Sequence, residues 1–259
     1  MPSLVRPGAE LWYDVTGDGP ALMFFHGRAG NGANWWRQIA HFSSTHRVIT
    51  VDQRAFGRSR CDPEAFQVEH MVDDIGVILD DCGVTRAALI CQSMSGITGL
   101  RFALDAPERV AGLVLCSTLG GISTRDIRAR LRKIEAANTV ELPDRAFSAG
   151  YGEREPALYA LYKQLLEFNA GFDPAWMKRF SGPEVALTPD SFGTYDVPTT
   201  FIVGEHDLYF PPSMAHDVAA YVPAATVIDF AGAGHSAYWE APDRFNALLT
   251  DWLAENARW

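Results

Sequence analysis

The chain has 259 residues, of which 47% are hydrophobic and 21% charged, which is an ordinary globular composition. One α/β domain of this length can bury a full core and has room for an inserted subdomain. A net charge of −10 argues against a nucleic-acid partner. Residues 1–10 contain no apolar signal sequence, and no apolar run reaches the ~18 residues that a membrane helix needs. We therefore expect a cytoplasmic protein without a membrane or nucleic-acid partner.

The cysteines and histidines show no spacing typical of a disulfide framework or of a metal site. The four cysteines are Cys61, Cys82, Cys91 and Cys116. We predict that all four are reduced thiols, in keeping with the cytoplasm. The sequence implies no metal and no cofactor. It leaves the oligomeric state open between a monomer and a homodimer.

In the first half of the chain, short apolar runs alternate with amphipathic segments. An alternating run at 10–15 predicts an early edge strand. Continuous apolar runs predict buried strands over 21–25, 47–52, 86–91 and 111–118. Helical spacing predicts helices over 69–83 and 96–110, the second stopped near Pro107. This regular order indicates a mostly parallel, twisted sheet flanked by helices.

The alternation breaks over residues 119–196, which contain helical stretches but no buried-strand run. A segment of this length is too long for a loop, so it predicts a helical cap (lid) inserted between two core strands. Strands return at 199–204 and 225–230, and helices near 212–221 and 241–256. The core of the α/β fold is therefore expected to comprise 1–118 and 197–259.

Polar residues follow the predicted strands where each strand ends. Ser93 follows 86–91, Asp207 follows 199–204, and His235 follows 225–230. Because the carboxyl ends of parallel strands meet at one rim, these side chains are expected to lie together. A histidine can take the proton of a serine hydroxyl, and a carboxylate can orient that histidine. The sequence thus predicts a nucleophile, a general base and an orienting acid.

The chain resembles the α/β-hydrolase superfamily, in particular its small capped esterases, enol-lactonases and non-haem haloperoxidase-like members. The resemblance covers nearly the whole chain and rests on "FFHG", "VDQRAFGRS", "CQSMSG", "VGEHDLYFP" and "GAGHSAYWEAPDRF". It implies that Ser93 is the nucleophile, Asp207 the acid and His235 the base. It further implies that the backbone N–H groups of Met94 and Arg28 form the oxyanion hole.

The chain departs from the family pattern at three positions. Cys91 and Ser95 replace the glycines of the usual G-x-S-x-G turn, and Ala55 stands where the family commonly has glycine. Because cysteine and serine are small, we expect the sharp turn at Ser93 to form with added strain. The loop around Ala55 is expected to be reshaped.

Several polar residues near the site leave alternatives open. Glu205 lies two residues before Asp207, and the two carboxylates can exchange roles. His26 is interpreted as a structural residue that holds the oxyanion loop by hydrogen bonds. Asp52 and Arg54 are interpreted as an internal ion pair.

These residues predict a serine hydrolase that cleaves a carboxylic ester or lactone with an apolar or aromatic body. The candidate pocket residues are Arg28, Trp35, Tyr159, Trp176, Tyr209 and Tyr238. Two alternatives use the same triad: a C–C bond hydrolase of the meta-cleavage type and a perhydrolase. A third belongs to another class, a ligand-sensing protein on the hydrolase scaffold with very slow turnover.

Overall fold

A computed structural model of the protein describes residues 3–169, 172–182 and 184–259. The described residues form one nine-stranded sheet. Its strands are β1 (Ser3–Arg6), β2 (Ala9–Thr16), β3 (Ala21–Phe25), β4 (Arg47–Asp52), β5 (Arg60–Cys61), β6 (Ala87–Gln92), β7 (Val110–Cys116), β8 (Thr199–Gly204) and β9 (Thr226–Phe230). Their spatial order is β1-β2-β4-β3-β6-β7-β8-β9, with β5 paired to β2. All pairs from β4 to β9 along this order are parallel, which confirms the mostly parallel sheet.

Helices flank the sheet. The α-helices of the described residues are α1 (Trp36–Phe42), α2 (Val68–Asp81), α3 (Ser95–Asp105), α4 (Arg125–Ala137), α5 (Tyr151–Arg154), α6 (Pro156–Glu167), α7 (Pro212–Ala219), α8 (Ala237–Glu240) and α9 (Pro242–Asn256). Short 3₁₀ helices lie at Gly32–Trp35, Pro63–Ala65, Pro107–Arg109, Asp144–Ala146, Pro174–Phe180 and Pro189–Phe192. Within the described ranges, no helix combines the length and apolar character that a bilayer crossing requires.

The core lies on both faces of the sheet, because successive side chains of a strand point to opposite sides. In β3, Met23 and Phe25 join the cluster that contains side chains of α2, α3 and α7. Leu22 and Phe24 join the cluster that contains side chains of α1, α8 and α9. Burying each such side chain stabilises the fold by about 1.5–3 kcal/mol. Continuous apolar runs therefore become strands that are covered on both faces.

Three predicted strands, 21–25, 47–52 and 199–204, match the observed β3, β4 and β8 residue for residue. The prediction of an edge strand at 10–15 is wrong in its position. This strand, β2, pairs with β1 on one side and with β4 and β5 on the other. The true edge strand, β1, has only four residues and no buried one, so it lacks the apolar pattern that marks a strand in sequence.

The helices that the sequence missed are short. Helices α1, α5 and α8 have seven, four and four residues, too few for a clear helical period. Helix α3 ends at Asp105, close to the predicted stop near Pro107 and five residues before the end of the predicted range. Its end fits the restriction that Pro107 places on the residue before it, which disfavours helical geometry.

Residues 119–196, here called the inserted segment, lie between β7 and β8 and contain α4, α5 and α6. In their described part, they contribute no strand to the sheet, only an isolated bridge between Ile122 and Leu187. Tyr162 and Leu165 of α6 pack into the core beside Trp239. The inserted segment is thus anchored on the sheet domain by apolar contacts; its role as a cap remains a prediction.

Helix α3 lies close against β6 because it carries a glycine where the two elements meet. A Cβ added to Gly99 would collide with Sγ of Cys91 and lie 3.3 Å from its Cβ. Cys91, which stands near the end of β6 where the family pattern has glycine, is fully buried. Gly99 thereby provides the space that Cys91 occupies, one turn into the helix.

We expect Gly99→Ala to destabilise the protein by about 2 kcal/mol, because it overpacks a closed contact. Adding Cys91→Ala should restore part of that loss, since it removes the colliding sulfur. The measurement is the free energy of unfolding in urea. Gly193→Ala is the control, because nothing lies within 4 Å of its added Cβ. Equal effects at positions 99 and 193 would contradict this packing account.

Candidate active site

The site lies at the rim formed by the carboxyl ends of β3, β6, β8 and β9. His26 follows β3, Ser93 follows β6, Asp207 follows β8 and His235 follows β9. The predicted strand-end positions are therefore confirmed by the topology. Ligands of open parallel sheets bind at such a rim.

Ser93 occupies the sharp turn between β6 and α3. Its φ of +53° lies in the left-handed region, which costs an L-residue roughly 1–2 kcal/mol. The turn is held by two backbone bonds: Ser93 N–H donates to the Cys116 carbonyl at 2.9 Å, and Gly96 N–H donates to the Ser93 carbonyl at 3.0 Å. The turn therefore forms without the two outer glycines of the family pattern.

Ser95 compensates for one of the missing glycines. Its side chain is fully buried, and its hydroxyl lies 2.9 Å from the Gln92 carbonyl and 3.1 Å from the Phe25 carbonyl. These contacts join the end of β6 to the end of β3. The replacement thus adds a polar link inside the turn.

The loop after β3 approaches Ser93 closely. A Cβ added to Gly27 would lie 2.9 Å from Cβ of Ser93 and would collide with the side-chain oxygen of Gln92. Gly30 N–H donates to the Gly27 carbonyl at 3.1 Å, which closes a four-residue turn, and Ala29 within it has a φ of +65°. This turn, Gly27 to Gly30, is here called the oxyanion turn, because it contains Arg28, whose N–H the sequence comparison predicts to be an oxyanion donor.

His26 holds the oxyanion turn and is fully buried. Its Nε2 accepts the backbone N–H of Gln53 at 3.1 Å, so its Nδ1 carries the proton and donates to the Gly27 carbonyl at 2.7 Å. Burial lowers the pKa of His26 to about 4. The neutral ring therefore has both nitrogens occupied, in line with the structural role predicted for it.

Asp207 and His235 form a buried pair. Both carboxylate oxygens of Asp207 lie 2.9–3.0 Å from Nδ1 of His235. One of them also accepts the backbone N–H groups of Tyr209 and Phe210, at 2.8 and 3.1 Å. Since the carboxylate occupies Nδ1–H, Nε2 of the imidazole remains available as a base.

Glu205, the alternative acid, lies elsewhere. It is exposed, and its carboxylate accepts the backbone N–H of Gly232 at 2.8 Å. Of the two carboxylates, Asp207 is therefore the one that pairs with His235.

The loop that carries His235 is tied down by Glu240, which the sequence analysis missed. The Glu240 carboxylate accepts the backbone N–H groups of Gly234 and Ser148 and the Ser148 hydroxyl. Burial raises the pKa of this carboxyl group. Its position five residues after His235, inside "GAGHSAYWE", was the only available sequence signal.

Tyr209 joins the Asp207 loop to the inserted segment. Its ring lies 4.6 Å from that of His235, and the Arg145 guanidinium lies 3.8 Å from its centroid. Arg145 also pairs with Glu135 of α4 at 2.6 Å. Burial raises the pKa of Tyr209, while the charges of Arg28 and Arg145 oppose that rise.

A cavity of about 420 Å³ opens beside Ser93. Ser93, Met94 and Arg28 line it on the core side, with Tyr209 and Phe210 from the Asp207 loop. The other apolar side chains of the lining come from α3 and the inserted segment: Ile97, Leu119, Ile122, Leu131, Met177, Phe180, Val185 and Ala186. The cavity is mainly apolar, as expected for a small-molecule site.

Of the six predicted pocket residues, only Arg28 and Tyr209 line this cavity. Trp35 and Tyr238 are buried in the core, where their rings stack at 4.2 Å. Trp176 packs against Phe66. Tyr159 lines a separate groove of about 1040 Å³ that does not include Ser93, and its hydroxyl donates to Asp144. These four assignments are corrected, because aromatic residues near a site in sequence also serve the core.

The predicted ion pair of Asp52 with Arg54 is also wrong. Asp52 pairs with Arg58 at 2.7 Å and accepts the backbone N–H of Gly32, whereas Arg54 pairs with Asp74 at 2.6 Å. Their side chains thus stabilise different loops. Ala55, directly after Arg54, has a φ of +68°, so this alanine adopts the left-handed conformation that glycine favours.

Comparison with known proteins agrees with this architecture. The family model of the alpha/beta hydrolase fold matches residues 20–188 and 180–242. The chain therefore belongs to the α/β-hydrolase fold family.

Three relatives illustrate the range of activities within this family. RutD of Pantoea ananatis, provisionally named a carbamate hydrolase, is 26% identical over 260 residues, which cover 95% of this chain and 94% of RutD. The enol-lactonase of Burkholderia xenovorans LB400 is 25% identical, with a TM-score of 0.81 and coverage of 98% and 100%. Est816, described as an N-acyl homoserine lactone degrading enzyme, is 26% identical, with a TM-score of 0.81 and coverage of 96% and 99%. These relatives support a hydrolase and leave its substrate open.

We expect the buried His26 to make stability depend on pH. Its folded-state pKa of about 4 lies below the ordinary value of 6.5, so the unfolded chain binds the proton more tightly. The associated stability is fully present above pH 6.5 and is lost as the pH falls through 4, by about 3 kcal/mol in total. Urea unfolding of wild type and His26→Gln between pH 7 and 4.5 measures this loss.

The His26→Gln variant should be less stable at pH 7 and should show a flatter pH dependence. The control is His41→Gln, which removes an exposed histidine of α1 and should keep the wild-type slope. If the free energy of unfolding of His26→Gln changed with pH as steeply as that of wild type, His26 would not be the source of the pH dependence.

Proposed function

We propose that the protein is a serine hydrolase that cleaves a carboxylic ester or lactone through an acyl-enzyme on Ser93. The observation that carries this proposal is the buried Asp207–His235 pair at the same rim as Ser93, a turn serine that faces an apolar cavity. Asp207 orients the imidazole and stabilises its charged form, and His235 acts as the general base.

In the first half of the reaction, Nε2 of His235 takes the proton of the Ser93 hydroxyl as the oxygen attacks the carbonyl carbon of the substrate. The tetrahedral oxyanion collapses, and the imidazolium gives its proton to the departing alkoxide. Water then attacks the acyl-enzyme while His235, again the general base, takes a proton from it. The carboxylic acid leaves, and Ser93 regains its proton.

The oxyanion turn supplies one donor to this reaction. The Gly27 carbonyl is held by His26 and by Gly30 N–H. In a planar trans peptide, the N–H points opposite to the carbonyl, so holding this carbonyl also sets the direction of Arg28 N–H. Within the described chain, the N–H groups of Arg28 and Met94 donate to no backbone carbonyl. Each donor of this kind contributes about 3–4 kcal/mol to the barrier reduction.

The cavity favours a substrate with an apolar body and an anionic end. Most of its lining is apolar, and the inserted segment covers it as a cap. Arg28 and Arg128 lie at its exposed edge. Glu135, the one carboxylate among the described lining residues, is already paired with Arg145. An excess of positive charge in this cavity contrasts with the net charge of −10 of the whole chain.

We expect a fluorophosphonate to label the wild type stoichiometrically and Ser93→Ala not at all, as followed by intact-protein mass spectrometry. Turnover of p-nitrophenyl esters and aromatic lactones should fall by at least about 10⁴-fold in Ser93→Ala. The matched control is Ser95→Ala, which removes a buried hydroxyl two residues away and should retain labelling. An unlabelled wild type would refute the role of Ser93 as a nucleophile. Labelling with only one turnover per protein would favour a ligand sensor.

A second expectation concerns substrate charge. We compare p-nitrophenyl valerate with mono-p-nitrophenyl glutarate, which has the same acyl length and ends in a carboxylate. Arg28→Gln and Arg128→Gln should each lower the glutarate-to-valerate ratio of kcat/KM by about 3- to 10-fold, and salt should reduce the wild-type ratio. Arg132→Gln, the same charge change on α4 away from the cavity lining, is the control. If the glutarate-to-valerate ratio of kcat/KM were unchanged in both cavity variants, the proposal of a substrate with an anionic end would be refuted.

A further inference from the structure

A buried asparagine joins the inserted segment to the oxyanion turn. Asn169 lies two residues beyond the end of α6 and is 7% exposed. Its Nδ2 donates to the Ala29 carbonyl at 2.6 Å, and its Oδ1 accepts the backbone N–H of Gly57 at 2.7 Å. One side-chain amide therefore links the loops that follow β3 and β4.

A second bond ties the same end of α6 to the same loop. Nδ2 of Asn31, the residue directly after the oxyanion turn, donates to the Leu165 carbonyl at 3.0 Å and is buried. The two bonds run in opposite directions, since the helix end supplies a donor through Asn169 and an acceptor through Leu165. The loop after β3 is thus held by α6 at Ala29 and at Asn31.

The bond at Ala29 restrains the conformation on which the oxyanion turn depends. Ala29 has a left-handed φ of +65°, which an alanine adopts only when its surroundings hold it there. Relaxation of Ala29 would break the bond from Gly30 N–H to the Gly27 carbonyl. That carbonyl shares its peptide with Arg28 N–H, so the donor direction would change with it.

We propose that Asn169 is a positioning residue that holds the oxyanion turn in its donor conformation, so that catalysis depends on the docking of α6. This inference rests on the proposed function, because it assigns the turn a part in stabilising the oxyanion. Asn169 acts through Ala29 and has no contact with the reacting atoms.

The test compares Asn169→Asp and Asn169→Ala with wild type. Aspartate keeps an acceptor for Gly57 N–H and replaces the donor to Ala29 with an oxygen; alanine removes both. We measure kcat and KM for a p-nitrophenyl ester, the inhibition constant of phenylboronic acid and the thermal unfolding temperature. The boronate adduct with the serine is tetrahedral, so its affinity reports on the oxyanion donors.

We expect kcat to fall by about 10- to 100-fold in both variants, with KM within about two-fold of wild type. The affinity for phenylboronic acid should fall by a similar factor. Asn256→Asp is the matched control, because Asn256 also donates from a helix end to a backbone carbonyl, that of Trp252 in its own helix. This control should match wild type in kcat, in KM and in the inhibition constant of phenylboronic acid.

Folded Asn169 variants with kcat within two-fold of wild type would overturn the inference, as would a loss of kcat without a loss of boronate affinity. If neither Asn169 variant folds, Asn31→Asp tests whether catalysis depends on the docking of α6. It removes the donor to the Leu165 carbonyl and keeps the acceptor for Ala33 N–H. It should lower kcat and boronate affinity together. A wild type that is neither labelled at Ser93 nor able to turn over esters overturns the proposed function and this inference together. An active wild type with unaffected variants overturns this inference alone.

Discussion

The left-handed turn at Ser93 is the constraint on which the rest of the site depends. The chain leaves β6 and enters α3 at this residue, so the helix must return directly over the strand. Gly99 must then lack a side chain where it faces Cys91, and Gly27 must lack one where the neighbouring loop passes Ser93. The strain is tolerated because backbone bonds to Cys116 and Gly96 and the packed core on both sides hold the turn.

The loops of the rim are held by buried polar side chains that bond to backbone groups. His26 binds the Gly27 carbonyl, Glu240 binds Gly234 N–H, and Asn169 binds the Ala29 carbonyl. A buried polar group without a partner is costly, so each of these side chains restricts its loop to the conformation that satisfies it. The site therefore gains a fixed geometry from three residues that do not line the cavity.

The inserted segment is coupled to the site through charge and packing as well as through Asn169. Arg145 pairs with Glu135 and lies over Tyr209, and Tyr209 packs against His235. The same segment supplies Met177, Phe180 and Val185 to the cavity lining. The inserted segment thus contributes to the cavity lining and reaches the Asp207–His235 pair through Tyr209, so a change in this segment can alter both the cavity and the pair.

The sequence by itself determined the parallel strands of the sheet, the positions of Ser93, Asp207 and His235 at strand ends, and the helical character of the inserted segment. It could do so because continuous apolar runs and helical periods are local patterns, and because parallel strands bring their carboxyl ends to one rim. Only the tertiary structure showed that Asp207 rather than Glu205 pairs with His235, placed Trp35 and Tyr238 in the core, and paired Asp52 with Arg58. It also revealed the link from Asn169 to Ala29, across 140 residues of chain. These outcomes depend on which side chains meet across the fold, and the period of a local pattern carries no information on such long-range contacts.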